Sequence, residues 1–454
     1  MTVPAELPGT LAATDPDDNP APSAAPAGDD PDLPGPDASD GEDDAGFPGA
    51  AQAGPEAAEA VASWFGGGRP VVLQVIPTLV TGGAERGCID MAAAIQRAGG
   101  RALVVSAGGP MARELERYGA RHITLPVDSK NPVTIYRNAA RLAALIRAEG
   151  VDIVHARSRA PAWSALWAAR RCGVPFVTTF HAPYNFKGRL KQRYNSVMAR
   201  GDRVIAVSGF VAGHVADCYG VGPDRLRLIH RGVDVATLVP AKVTQARMAV
   251  LARDWRLPDD HRVVLLPGRL TRWKGQLVLI EAMAKLGRSD VRAVLVGGDQ
   301  GRTDYRQELE ARIRALGLDS QVTIAGHCAD MAAAYMLSDV VVSASVEPEA
   351  FGRVIVEAQA MGRPVIVSDL GAVKETLVNG QTGLVVPPGD AEALAGAIAS
   401  VLDLTPLERR AVGLEAMRYV RERFTRDGMC LATLAVYAEL LAERAAGGRP
   451  AALP

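Results

Sequence analysis

Short apolar runs alternate with helix-forming stretches along most of this chain, and that alternation restricts its fold more than any other feature. Val71-Val72-Leu73-Gln74-Val75-Ile76, Phe176-Val177-Thr178-Thr179-Phe180, Val263-Val264-Leu265-Leu266-Pro267 and Val340-Val341-Val342 read as strands. Strands buried on both faces and separated by helices belong to parallel sheets built from βα units. A first set is expected near 70–77, 101–106, 121–125, 151–155, 175–180, 203–207 and 226–230. A less regular stretch with Pro240 and Pro258 precedes a second set near 262–267, 291–297, 321–325, 339–343, 364–368 and 383–386. The expected fold class is α/β, with two doubly wound parallel-sheet domains facing a cleft.

In such sheets ligands sit outside the strand C-termini, and phosphates favour the helix N-termini that follow. Four segments occupy that position. After Val340-Val341-Val342, Glu349 and Glu357 bracket Phe351-Gly352. A helix opening near Phe351 puts Glu357 about two turns in, roughly 10–12 Å beyond Glu349 along the axis. Hydrolase carboxylate pairs stand about 5–9.5 Å apart, so this spacing suits two groups holding opposite ends of an extended ligand. The plainer reading is two solvated helix carboxylates. After Val263–Pro267, Arg269 and Lys274 bring two cations to one strand–helix junction, where they can grip phosphate oxygens. Alone, they read equally as a solvated basic turn.

The third segment is Thr81-Gly82-Gly83-Ala84-Glu85, whose amides can approach an anion or an acceptor. It lacks the dinucleotide pattern G-x-G-x-x-G and reads equally as a tight turn. The fourth is His181-Ala182-Pro183 at the end of Phe176–Phe180. Its rival is His155, after Val151-Asp152-Ile153-Val154, either a crevice residue or a structural hydrogen bonder. The seven histidines show no zinc-ligand spacing, so no metal ligands are expected.

Together these motifs resemble the retaining GT-B glycosyltransferases of family 4 (group 1), of the lipopolysaccharide and exopolysaccharide type. The resemblance covers about residues 70–440 and includes Val207-Ser208, Arg231-Gly232-Val233-Asp234 and Gly362-Arg363-Pro364-Val365-Ile366. It implies a GT-B fold of two Rossmann-like domains: an acceptor-side domain at 69–238 and a nucleotide-sugar domain at 239–425. A crossover helix and tail would follow at 426–454.

It also implies residue roles. Glu349 and His181 would be catalytic, lying by the transferred sugar. Arg269, Lys274 and the backbone of Phe351 and Gly352 would hold the donor diphosphate, Glu357 the ribose, and Gly82 and Gly83 the first-domain glycine loop. The sequence departs from the family at Arg231, which stands where Asn is common and to which no family role carries over. It departs again at Arg353, which adds a cation after Phe-Gly.

Charge is unevenly distributed. Residues 1–68 carry 14 acidic and no basic residues, which leaves 37 acids against 50 bases in the remainder, near +13. That Pro-, Ala-, Gly- and Asp-rich segment has too few large apolar side chains to offset ordering entropy, so disorder is expected for it. A basic body suits an anionic partner, either a phosphorylated acceptor or an anionic membrane surface. The densest basic stretch is Lys187-Gly188-Arg189-Leu190-Lys191-Gln192-Arg193-Tyr194, with Arg200 and Arg203 beyond; the plain alternative is a solvated helix face. Aromatics, 5% of the chain, are too sparse for a nucleic-acid stacking platform. No secretory signal or membrane-spanning helix is expected. Five scattered cysteines without C-x-x-C suit a reducing compartment.

The expected activity is retaining, metal-independent transfer of a hexose from a UDP- or GDP-linked sugar, with no cofactor. The acceptor would be an envelope glycan or glycolipid such as lipopolysaccharide core. The setting would be cytoplasmic, with peripheral contact to the membrane's inner face. The family mechanism is front-face attack, with the departing phosphate taking the acceptor proton. The alternatives are a GT-B sugar-nucleotide epimerase or hydrolase, and a catalytically silent sugar-nucleotide-binding protein.

Overall fold

The computed structural model describes residues 68–447 apart from 81, 185–187 and 302. The expected disordered tail over 1–68, all but Gly68 of it, and the Lys187 end of the basic stretch lie outside the described residues. Two all-parallel sheets are present. The first contains β1 (Val71–Val75), β2 (Arg101–Ser106), β3 (Arg121–Thr124), β4 (Ile153–Ala156), β5 (Phe176–Phe180), β6 (Arg203–Ala206) and β7 (Leu226–Leu228), in the order β3-β2-β1-β4-β5-β6-β7. The second contains β8 (Arg262–Pro267), β9 (Val291–Val296), β10 (Val322–Gly326), β11 (Val340–Ser343), β12 (Val365–Ser368) and β13 (Gly383–Val386), in the order β10-β9-β8-β11-β12-β13.

Both sheets are doubly wound. From β1 the chain builds outward to β3, then returns to place β4 on the other side of β1; β8 and β11 repeat this. Their registers are Val72↔Ile153 through Val75↔Ala156, and Val340↔Val264 with Val341↔Leu265. At each switch the two neighbouring strands send their following segments in opposite directions, which opens a crevice at their C-terminal ends. The motif segments follow β1 and β5 in one sheet and β8 and β11 in the other.

The apolar strand runs explain the burial. Val72, Leu73 and Val75 are fully buried, as are Val264, Leu265, Val340 and Val342. Helices cover both faces of each sheet and divide the core into separate clusters.

The last two helices are Pro406–Arg423 and Arg426–Ala445. A Thr405/Glu408 capping box starts the former. Between them the chain crosses the link that leaves the first sheet. Val233 N–H donates to Phe424 O (2.9 Å), Arg426 N–H donates to Val233 O (2.8 Å), and the Arg426 guanidinium meets Asp234 at 2.6 Å. The final helix then packs Cys430, Leu434, Val436, Tyr437 and Leu440 into the first domain's core with Cys88 and Met91.

Candidate functional site

On the second sheet, the turn after β8 and the turn after β11 lock together. Gly275 has φ +70, and a β-carbon there would collide with the carbonyl of Ala344. Val346 N–H donates to Trp273 O at 2.8 Å. This close approach delivers Lys274 to Glu349, with Nζ to Oε1 at 2.7 Å. The same oxygen accepts from Ser345 Oγ (2.5 Å) and Ser343 Oγ (3.1 Å). Glu349 is 7% exposed. Burial pushes its carboxyl up, but the Lys274 charge and the hydrogen bonds from Lys274, Ser345 and Ser343 outweigh burial and hold it below its ordinary value. It is a buried, ionised carboxylate with a cation beside it.

The backbone of Glu349 is also fixed. Its carbonyl accepts from Ala372 N–H at 2.9 Å, and it bridges to Gly371. Gly371 has φ +68, and a side chain there would strike the Glu349 carbonyl.

The helix after Glu349 starts later than the sequence suggests. It spans Arg353–Ala360, with left-handed Gly352 (φ +79) as its N-cap, so Ala350 and Phe351 belong to the loop and Glu357 lies just over one turn in. The Phe351 side chain anchors that loop. It is buried with Val233, Val356, Val420 and Phe424, with Phe424 edge-on at 5.6 Å. Its side chain is therefore not free to meet a ligand.

Glu357 is held at both oxygens: Tyr335 O–H donates to Oε2 (2.8 Å) and Arg353 Nε–H to Oε1 (2.7 Å). The added cation Arg353 is therefore bound to the ribose candidate. Arg269 directs Nη1 toward Gln300 Oε1 at 3.5 Å, and its carbonyl accepts from buried Gln276 (2.8 Å).

The first domain supplies a second group. Gly82 is the N-cap of the helix Gly83–Arg97, with no side-chain cap. His155 is fully buried and satisfied at both nitrogens, Nδ1 with Tyr437 Oη (2.6 Å) and Nε2 with Thr179 Oγ1 (2.7 Å). Both nitrogens are thus occupied as a structural hydrogen bonder's would be, although His155 borders the same cavity as His181. His181 lines a small cavity with Arg157, Thr179 and Arg231. Its Nδ1 faces Arg231 Nη1 at 2.7 Å, and the other arm of Arg231 donates to the carbonyl of Gly83. Burial, then the charges of Arg231 and Arg157, pushes the His181 imidazolium well below its ordinary pKa.

The two groups face each other. Ala350 packs against the first domain's core, and Arg353 acts electrostatically on Arg231 and Asp90. Glu375 crosses between the domains, accepting from the amides of Gly209 (2.7 Å) and Phe210 (2.8 Å) and meeting His230 Nε2 at 2.9 Å.

The structure thus joins Lys274 to Glu349 and places Gly83 and His181 around Arg231. Sequence reasoning missed Ser343, Ser345, Tyr335, Gly371, Glu375 and the part played by Arg231. Gly371 and Glu375 follow β12 as the motifs follow their strands, so the strand-end rule points to them; nothing local marks Tyr335. Among the described residues no three His, Cys, Asp or Glu side chains group as a metal set.

Two doubly wound parallel-sheet domains, with polar groups gathered at their strand ends, define the GT-B fold class. Residues 81–237 match the model described as Glycosyltransferase Family 4, and residues 249–413 the model Glycosyl transferases group 1. The chain is 32% identical over 334 residues to the D-inositol 3-phosphate glycosyltransferase of Acidothermus cellulolyticus, an alignment spanning 66% of this chain and 71% of that protein. It resembles the crystal structure of a glycosyltransferase from Rickettsia africae, with TM-score 0.77 and 37% identity over 82% of this chain and 99% of the other. It also resembles Anabaena HepE in complex with UDP and glucose, with TM-score 0.71 and 25% identity over 81% and 99% of the two chains. The chain belongs to the family 4, group 1 glycosyltransferases.

Proposed function

We propose that the protein transfers a hexose, with retention and without a metal ion, from a nucleoside diphosphate sugar to a hydroxyl of an envelope glycan or glycolipid. The observation that carries this reading is the buried Lys274–Glu349 pair at the β8/β11 crevice. A cation there can meet the diphosphate while the carboxylate beside it faces the sugar. Residues 69–238 serve the acceptor and 239–425 the donor. Arg269, Lys274 and the N-terminus of the helix Arg353–Ala360 neutralise the charge that develops on the leaving diphosphate. Glu357, fixed by Tyr335 and Arg353, presents its carboxylate to the ribose hydroxyls. His181 donates to a sugar hydroxyl.

The UDP and glucose held by HepE favour a UDP-linked donor. The near +13 charge of the body beyond residue 68 favours an acceptor carrying phosphate or lying on an anionic surface. The same charge favours peripheral contact with an anionic bilayer; among the described residues no helix is long and apolar enough to cross a membrane. Five unpaired cysteines accord with work in the cytoplasm.

The test combines a thermal-shift panel of UDP and GDP with incubation of UDP- and GDP-sugars, with and without cell-envelope lipid. The anomeric configuration of the product is read by proton NMR, with and without chelator. Transfer that needs lipid or glycan, retains configuration and survives chelation supports the proposal. Donor turnover independent of any acceptor would instead identify an epimerase or hydrolase, and binding without turnover a silent protein.

A further inference from the structure

We infer that Arg231 is a positioning residue that holds His181 in one tautomer, with hydrogen on Nε2 and a lone pair on Nδ1. A guanidinium has only donors. The 2.7 Å contact between Arg231 Nη1 and His181 Nδ1 is therefore a hydrogen bond in one direction, with Nδ1 accepting. A neutral imidazole that accepts at Nδ1 carries its hydrogen at Nε2. That Nε2 is buried and meets no protein acceptor among the described residues. A buried donor without a partner costs free energy, so its position is best explained by an acceptor brought in with a ligand. A sugar hydroxyl oxygen has that chemistry.

Arg231 is itself fixed at its other end. It donates to the carbonyl of Gly83 in the glycine loop, 148 residues away in sequence. No carboxylate lies within salt-bridge distance of Arg231 among the described residues. One guanidinium thus ties the link after β7 to the glycine loop and to the histidine after β5. The charged and titratable groups acting on His181 are Arg231, Arg157 and His155. None is an anion that would favour the imidazolium, so the imidazole stays neutral and the tautomer persists across the physiological range. Burial and the charges of Arg353 and Arg157 bring Arg231 down to about 9, which still leaves it cationic near neutral pH. An Asn at this position would have an acceptor as well as donors and so would not dictate the tautomer. The Arg does.

The kinetic arm of the test rests on the transfer reading above; the spectroscopic arm does not. Side-chain nitrogen NMR on the full chain labelled at its seven histidines, with the His181 resonances assigned by their loss in His181→Gln, reads the tautomer directly. The expected result is a bare Nδ1 and a protonated Nε2 from about pH 6 to 8, where a free histidine would titrate. Arg231→Lys, which keeps a donor, should largely preserve that signature, and Arg231→Ala should give tautomer exchange.

In transfer assays Arg231→Ala should lower kcat about a hundredfold, as misplacement of a reacting group does, and Arg231→Lys should recover part of the loss. Combining Arg231→Ala with His181→Ala should cost no more than His181→Ala alone, because one acts through the other. A protonated Nδ1 in the wild type overturns the inference, as does an unchanged tautomer in Arg231→Ala. If His181→Ala transfers normally, the role of His181 in transfer fails, while the spectra still decide what Arg231 does to it.

Discussion

The ammonium nitrogen of Lys274 lies 2.7 Å from Oε1 of Glu349, although the two residues are 75 positions apart in the chain. Each is nearly buried, with side-chain exposures of 12% and 8%. An ion pair placed this deep is a poor device for stability, because desolvation offsets much of its attraction. It is better suited to holding a buried carboxylate ionised.

The first prediction follows from that pairing. Glu349→Gln should bind bare UDP or GDP at least as tightly as wild type, because Lys274 no longer divides its charge between carboxylate and diphosphate. Turnover should nevertheless collapse. Lys274→Ala and Arg269→Ala should each weaken diphosphate binding by about 1.5–3 kcal/mol, the worth of a charge-assisted contact. Titration calorimetry beside a transfer assay separates these effects. Near-normal turnover in Glu349→Gln would remove the active site from this crevice.

A second prediction concerns pH. Burial raises the Glu349 carboxyl, and Lys274 with two serines brings it below its usual value. With a depressed folded-state pKa, its favourable contribution is present above the unfolded value near 4.3 and is lost as pH falls through the folded value. Lys274→Met removes the opposing charge and leaves burial countered by the serines alone. Glu349 should then titrate higher, and the acid limb of kcat should move toward neutral pH. An acid limb that stays in place in Lys274→Met would show that Glu349 does not control it.

The third prediction concerns the contact between domains. Glu375 accepts from the amides of Gly209 and Phe210 and from His230. Burial raises its carboxyl, and these hydrogen bonds, led by His230, bring it below the ordinary value. Its stabilisation is therefore present above the unfolded carboxylate value and lost as pH falls through the folded one. Glu375→Ala strands two helix-start amides and should cost about 1–3 kcal/mol. Glu375→Gln should cost less and flatten the acid side of the stability curve. Denaturant titrations at several pH values would show it; equal acid sensitivity in Glu375→Gln and wild type would exclude Glu375 as the cause.

These contacts show what the sequence could and could not reveal. The sheets were legible because each buried parallel strand, such as Val340–Ser343, is a continuous apolar run bounded by helix signals. The placement of Glu349, Lys274 and His181 beyond strand ends was legible because a strand end followed by a polar residue is local information. The start of the helix at Arg353 was misjudged because Gly352 adopts a left-handed cap while Phe351 turns into the core, a tertiary effect. Arg231 and Glu375 act across 50 and 166 residues, on His181 and Gly209 respectively, and no local pattern reports which remote group a side chain will meet. Arg203 shows the converse. Grouped by sequence with the basic stretch, it is buried and pairs with Glu439 and Glu443 of the last helix.

A fourth prediction tests the ribose candidate. Glu357→Ala should weaken nucleoside diphosphate binding about tenfold or more by removing its carboxylate altogether, since hydrogen bonds to charged groups are worth about 1.5–3 kcal/mol. Tyr335→Phe removes only the phenol that orients Oε2, so a smaller loss in the same direction is expected. Arg353→Leu frees Oε1 but removes a cation near the helix start. Its sign distinguishes two roles: weaker diphosphate binding marks Arg353 as a phosphate contact, and tighter binding marks it as a competitor for Glu357. If Glu357→Ala binds UDP and GDP as wild type does, the ribose assignment fails.

The last prediction concerns the exposed helix Arg189–Asn195. Leu190 is 86% exposed, between exposed Arg189 and half-buried Lys191, with exposed Arg193 one turn further. An apolar tip flanked by cations suits an anionic lipid surface, where each basic residue contributes about 1 kcal/mol. The protein should sediment with anionic vesicles at low salt, be released as salt rises and ignore neutral vesicles. Replacing Arg189, Lys191 and Arg193 together by Gln should abolish sedimentation while leaving UDP or GDP binding intact, because these three lie on the first domain and the nucleotide candidates Arg269, Lys274 and Glu357 on the second. Arg203→Gln is the control: its partners are Glu439 and Glu443, so it should lower stability by loosening the last helix without a specific loss of vesicle binding. Vesicle binding that persists in the triple variant, or that does not respond to salt, would make this helix an ordinary solvated face.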